Sequence, residues 1–234
     1  MHAAEMRNII SIRMSEKMIK DNKRNSRILK IGNLMPENPF FLAPLAGITD
    51  AAMRSIAREF GAALVYSEMI SAKGLLYGDK NTERMLTIYE EEKPVAYQIF
   101  GCEPEAVENA ARVLAGRQNA LLDINMGCPV PKIVKNGEGA AMMKNPDLVY
   151  KVVEAAVRGV KKGAEELDAV LKPVTVKMRI GFTADTLNAV EVAQAAEAAG
   201  AAAVAVHGRT REQYYSGTAD WQEIARVKAS VDIP

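Results

Sequence analysis

The chain predicts an α/β fold, a parallel (β/α)8 barrel of the TIM type. Three observations carry that prediction. From Phe40 onward, short and nearly continuous apolar runs alternate with amphipathic helical stretches, the pattern of strands buried on both faces and joined by crossover helices. Helix start and stop residues fall in the gaps between the runs. Polar or special residues recur at the carboxyl end of run after run, and in a barrel those ends meet at one mouth.

The first strand covers residues 40–45 and leads into Ala46 and Gly47; Thr49 or Asp50 caps a helix over 50–60 that Gly61 ends. The second strand, 63–68, closes on Ser67 and Glu68. The third, 95–100, offers Gln98 and Gly101, and a helix follows over 104–114. The fourth, 120–126, carries Asn125 and opens onto Cys128. Asn145 and Pro146 start a helix over 145–162, with proline at or near the first helical position. The fifth strand, 174–180, holds Lys177 and Arg179, and the alanine-rich helix 184–199 stops at Gly200. The sixth, 202–207, ends on His207 and Arg209, with a last helix near 221–228. An open doubly wound sheet would concentrate its site at one switch point and carry a glycine-rich first turn. The run G-E-G-A-A-M from Gly137 lacks the third glycine and does not directly follow a strand, so it reads as a loop and helix start.

With 49% hydrophobic and 25% charged residues among 234, the composition is that of an ordinary globular protein. Two cysteines and no C-x-x-C exclude a disulfide framework and point to a reducing, cytoplasmic setting. His2 and His207 are the only histidines, which excludes a histidine-rich metal site; no metal is expected. No apolar window approaches a membrane span, so no membrane partner is expected. Residues 1–30 carry eight basic and three acidic side chains, net +5, against 22 and 26 in the remainder, net −4. That basic N-terminal extension reads as flexible and solvated, with attraction to nucleic acid as the alternative.

Cys128 lies in D-I-N-M-G-C-P-V-P-K, Asp123 to Lys132. Gly127 is expected to relieve the turn and Pro129 to fix the backbone beyond it. The thiol is then either a small buried hydrophobe or a reactive group held at a strand end. No carboxylate pair stands out among the strand-end residues, which argues against a glycosidase. The small residues of A-P-L-A-G-I-T-D, Ala43 to Asp50, let a flat group lie against backbone. Gln98 and Asn125 offer donors and acceptors to a heterocycle edge. Lys177 can place positive charge beside the N1/C2 edge of a reduced flavin, or pair with a neighbouring carboxylate. His207 reads as a site residue or a satisfied core histidine. Cys102 reads as structural, and Tyr214 and Tyr215 as rim packing or base stacking.

P-L-A-G-I-T-D, Y-Q-I-F-G (Tyr97 to Gly101), the Cys128 segment, V-K-M-R-I-G (Val176 to Gly181) and V-H-G-R-T-R (Val206 to Arg211) occur in that order. Together they resemble tRNA-dihydrouridine synthases of the bacterial type related to nitrogen-regulation proteins, over about residues 31–234. The resemblance implies an FMN-dependent oxidoreductase in which NADPH reduces FMN, hydride passes to C6 of a uridine in tRNA, and Cys128 protonates C5. An ordinary cysteine is mostly thiol at neutral pH, which suits that role. It further implies FMN contacts at Pro44, Leu45, Ala46, Gln98 and Lys177, with Asn125 and His207 lining the same site. Leu45 replaces the family's usual methionine at similar apolar volume. The uracil must be turned out of the tRNA to reach the mouth. Arg179, Arg209 and Arg211 become phosphate or base contacts, or else solvated rim charges.

The family pattern continues past Val231 to Pro234 with strands 7 and 8 and a carboxyl-terminal helical domain. The expectation is therefore an incomplete FMN-binding barrel over 31–234, truncated after about six β/α units, that alone binds FMN weakly or not at all and tends to aggregate. The full-length protein is expected to be a monomer. Two other readings compete. One is a different FMN barrel, such as a dihydroorotate dehydrogenase-like enzyme; the other is a catalytically dead RNA-binding protein derived from such a barrel.

Overall fold

The computed structural model describes residues 29–234, so the expected basic extension lies almost wholly outside the described residues. Six strands form one parallel sheet in sequence order: β1 (Phe41–Leu42), β2 (Leu64–Ser71), β3 (Val95–Phe100), β4 (Leu121–Met126), β5 (Val174–Arg179) and β6 (Ala203–His207). The principal crossover helices are α1 (Ala51–Glu59), α4 (Pro104–Ala115), α6 (Pro146–Glu166) and α7 (Ala189–Ala198), with α8 (Trp221–Ser230) after β6. Short helices α2 (Ala72–Leu76), α3 (Lys80–Met85) and α5 (Pro131–Val134) and two 3-10 segments, Glu90–Glu92 and Gly139–Lys144, complete the connections among the described residues. One to two helical turns leave too few residues for a hydrophobic period, so the sequence reading passes over them.

The caps agree with the sequence. Asp50 accepts from the Met53 amide at 2.9 Å, and Asn145 accepts from Leu148 at 3.1 Å with Pro146 at the start of α6. Several boundaries differ: β2 runs on to Ser71 and α6 to Glu166, past the expected 68 and 162. β1 is only two residues long because Pro44 brings no N–H to the ladder. α7 begins at Ala189 instead of 184, since the preceding residues fold back through a Gly181–Leu187 bridge and a turn in which Thr186 Oγ1 accepts from the Thr183 amide at 3.0 Å.

The sheet curls as a barrel wall. Leu64 of β2 and Ala203 of β6 share one buried apolar cluster with Tyr66, Ala96, Leu121 and Ile31. In a flat sheet β1 and β6, five places apart, would stand roughly 24 Å apart, whereas Ala43 to Ala46 just after β1 and His207 of β6 line the same cavity. Ile31 and Leu34 pair with each other and join the floor of this inner layer. Residues of the opposite pleat, among them Ile99, Ile124, Val176 and Met178, face the helices in the larger outer core.

α4 and α6 approach at backbone distance. A Cβ on Gly159 would stand 2.2 Å from the Glu108 carbonyl oxygen, and one on Gly163 equally close to that of Arg112. Glu108 also pairs with Arg158 and Lys162 across this contact. Such surface pairs contribute about 0–1 kcal/mol, whereas each fully buried large apolar side chain contributes about 1.5–3 kcal/mol, so the buried faces hold the helices. Among the described residues no helix is long and apolar enough to cross a membrane.

Candidate active site

The carboxyl ends of the strands border one cavity of about 550 Å³. The segment after β1 supplies Ala43, Pro44, Leu45 and Ala46; β2 supplies Met69, β3 Gln98, β4 Asn125, β5 Lys177 and Arg179, and β6 His207. Cys128 and Pro129 enter from the loop after β4, Tyr214 and Tyr215 from the loop after β6. A cavity of this size, apolar with a few convergent polar groups, is that of a small-molecule site.

Alternation along each strand selects the residues that face inward. Asp123 and Asn125 lie two apart on β4, as do Thr175, Lys177 and Arg179 on β5. The innermost group is Asp123, 1% exposed, which accepts from Gln98 Nε2 at 2.7 Å and from Thr175 Oγ1 at 2.5 Å. Burial pushes its carboxyl up to about 6, opposed by those two hydrogen bonds and by the charge of Lys177. It is therefore mostly ionised at neutral pH. Gln98 Oε1 accepts from Asn125 Nδ2 at 2.8 Å, and Asn125 Oδ1 accepts the amides of Gly127 and Cys128 at 3.1 and 2.9 Å.

That clamp fixes the turn carrying the half-buried thiol. On its other side the Cys128 carbonyl accepts from the Ala140 amide at 3.1 Å, and Gly139, at φ +58, packs so closely that a Cβ would stand 2.8 Å from that oxygen. The expectation that Gly127 relieves the turn is corrected here. Gly127 has no positive φ and a Cβ there would meet only ordinary contacts, so the steric requirement lies at Gly139 in the segment packed against the turn.

Lys177 stands on the cavity wall and makes no hydrogen bond or ion pair among the described residues. Burial depresses its pKa, with the Asp123 carboxylate opposing and Arg179 reinforcing the shift. His207 Nε2 lies 3.1 Å from Nη1 of Arg209, which only donates, so Nε2 accepts and the ring carries its proton on Nδ1. Burial, then the charges of Arg179, Lys177 and Arg209, push His207 down to about 4, so it is neutral at pH 7.

The three arginines brace the rim. Arg179 is 2% exposed and donates to the carbonyls of Gly127 (2.7 Å), Thr210 (2.9 Å) and Tyr214 (2.8 Å), tying the thiol turn to the loop after β6. Arg209 donates to the carbonyls of Ser216 and Gly217. Arg211 donates to the Pro129 carbonyl at 3.2 Å while its guanidinium lies over the rings of Phe182 and Tyr214. Arg179 borders the cavity; Arg209 and Arg211 stand behind its lining. Cys102 lies outside it, donating to the Asn136 carbonyl at 3.3 Å.

Sequence reasoning did not single out Met69, Asp123 or Thr175. The spacing of two in Asp123-Ile124-Asn125 and Thr175-Val176-Lys177 was the available signal. Among the described residues no group of three or more His, Cys, Asp or Glu is placed to hold a metal ion. No carboxylate among the described residues lines the cavity. The arrangement offers an apolar floor, amide and ammonium donors on one wall, and a half-buried thiol on the turn after β4.

A parallel barrel wall whose chemistry gathers at the strand carboxyl ends defines a barrel of the enzyme type. The chain belongs to the dihydrouridine synthase (Dus) family, whose model matches residues 41–234. It is 42% identical over 208 residues to a probable tRNA-dihydrouridine synthase of Rhodobacter capsulatus, covering 88% of this chain and 61% of that protein. It is 39% identical over 208 residues to the probable tRNA-dihydrouridine synthase of Rickettsia conorii, with 88% and 60% covered. With tRNA-dihydrouridine synthase B of Xanthomonas campestris it shares 38% over 206 residues, 88% and 59% of the two chains. The chain thus spans about 60% of the length of these curated relatives.

Proposed function

We propose that the protein reduces the C5–C6 double bond of a uridine in tRNA, with FMN as cofactor, NADPH as reductant and Cys128 as proton donor. The observation that carries this reading is the ammonium of Lys177, which makes no hydrogen bond or ion pair among the described residues and shares one cavity with the Cys128 thiol and a neutral His207. A lysine so placed fits an electron-rich heterocycle, and the Pro44–Leu45–Ala46 floor fits a planar ring. Gln98, Asn125, Lys177 and His207 would hold the polar edge. When bound and reduced, FMN would supply the hydride taken up at C6 of the uracil.

The chain's own residues supply the rest. Cys128 gives its S–H proton to C5 as the hydride reaches C6, so the base gains two hydrogens and the thiolate is reprotonated from solvent. Asn125 holds the Cys128 turn. The uracil must leave its stack to enter the cavity, where the exposed rings of Tyr214 and Tyr215 stand at the entrance. Arg179 is committed to carbonyls, and Arg209 and Arg211 are likewise engaged behind the cavity lining, so a contact of any of the three with tRNA would lie at the rim.

In FMN-loaded protein, Cys128→Ala is expected to retain NADPH-dependent bleaching of the flavin while dihydrouridine formation in tRNA falls by about a hundredfold or more. Dihydrouridine made at the normal rate by that variant would refute the proton-donor role. Turnover of dihydroorotate would favour the other FMN barrel, and absence of bleaching would favour the catalytically dead RNA-binding reading.

A further inference from the structure

We propose that Asp123 is a positioning residue whose carboxylate sets the direction of a hydrogen-bond relay, Asp123 to Gln98 to Asn125, that ends on the amide of Cys128. The inference rests on the reading of Cys128 as the site thiol. A carboxamide is nearly symmetric in shape, so contacts must choose its orientation. The amides of Gly127 and Cys128, which only donate, favour one orientation from one end of the relay, and Asp123 holds it from the other. A carboxylate is not ambiguous, because it only accepts. Facing Asp123, Gln98 must present Nε2, as it does at 2.7 Å. Its Oε1 then faces Asn125 and takes Nδ2 at 2.8 Å, which leaves Asn125 Oδ1 toward the amides of Gly127 and Cys128.

Reversal shows what the charge prevents. Were residue 123 a donor toward Gln98, both carboxamides could turn over, and Asn125 would aim an N–H2 group at two amide N–H groups. The turn would lose both hydrogen bonds. One negative charge, buried two residues upstream on the same strand, thus enforces at Gln98 the orientation that the two amides favour at Asn125. Thr175 of β5 donates to the other carboxylate oxygen and Tyr66 of β2 stands nearby, while Lys177 of β5 supplies the facing positive charge. None of these needs to change for the relay to reverse.

The test compares Asp123→Asn with Thr175→Val by hydrogen exchange of the Cys128 amide and by nitrogen-15 NMR of the Gln98 and Asn125 side-chain amides, at a pH where Asp123 is ionised. Asp123→Asn is expected to lower Cys128 amide protection by about tenfold or more and to split or broaden the two carboxamide signals. Thr175→Val, which removes a neighbour of Asp123 but keeps its acceptor toward Gln98, is expected to leave both unchanged. Protection within about twofold of wild type in Asp123→Asn, or an equal loss in Thr175→Val, would overturn the proposal. If Asp123→Asn does not fold, the wild-type chain serves: protonating Asp123 should loosen Cys128 relative to amides elsewhere on β4, and a constant ratio would overturn the proposal. These readouts use neither flavin nor tRNA, so their failure leaves the proposed reaction standing. Failure of the Cys128→Ala test likewise leaves the relay standing.

Discussion

The side-chain oxygen of Asn125 accepts the amide hydrogen of Cys128 at 2.9 Å, so a residue inside β4 holds the turn that presents the thiol. Asn125→Ala strands that amide and the amide of Gly127. Leaving such groups unpaired costs about 1–3 kcal/mol, and at this chain length each kcal/mol lowers Tm by about 2–4 °C. Thermal unfolding should register the loss, and dihydrouridine formation should fall by about tenfold or more as the thiol loses its fixed position.

Lys177→Met should separate function from stability. The ammonium is desolvated and makes no hydrogen bond or ion pair among the described residues, while its charge faces the buried Asp123 carboxylate. The two effects offset, so an apolar chain of similar length is expected to change Tm by no more than the equivalent of about 1 kcal/mol. FMN affinity should nevertheless drop by about tenfold or more, measured by fluorescence titration. A fall in both quantities would mean that Lys177 has a structural partner.

Asp123 and His207 should oppose each other in the pH dependence of stability. Asp123 is raised from the usual carboxylate value to about 6, so its contribution is fully present below the unfolded value of 3.8 and is lost as pH rises through 6. For this buried group the full change is about 3 kcal/mol. His207 is lowered from 6.5 to about 4, so its contribution is present above 6.5 and lost as pH falls through 4. Solvent screening makes that term the smaller of the two. Urea unfolding at about pH 4.5 and about pH 6.5 should show Asp123→Asn gaining more stability with rising pH than the wild type.

Gly159→Ala sets two effects against each other. Alanine favours a helix interior by about 1 kcal/mol over glycine, but its Cβ would stand 2.2 Å from the Glu108 carbonyl oxygen. Overpacking of this kind costs about 1–3 kcal/mol, and a contact with backbone cannot be relieved by a rotamer change. The variant is expected to unfold at lower denaturant with an unchanged m-value.

The sequence by itself determined the parallel α/β barrel wall, the six strands in their order, and the caps at Asp50 and Asn145, because these follow from apolar periodicity and local capping chemistry. It also named Gln98, Asn125, Cys128, Lys177 and His207, which border one cavity, since a strand's carboxyl end is legible wherever an apolar run gives way to a polar residue. It passed over Met69, however, and named Arg209 and Arg211, which stand behind the lining. Tertiary structure alone decided how those residues are held. That Arg179 spends its donors on three carbonyls, that Gly139 and not Gly127 is sterically required beside the thiol, and that Asp123 orients Gln98 all depend on groups far apart in sequence. Hydrogen-bond direction and close approach are properties of pairs brought together by the curl of the sheet, and no local pattern encodes them.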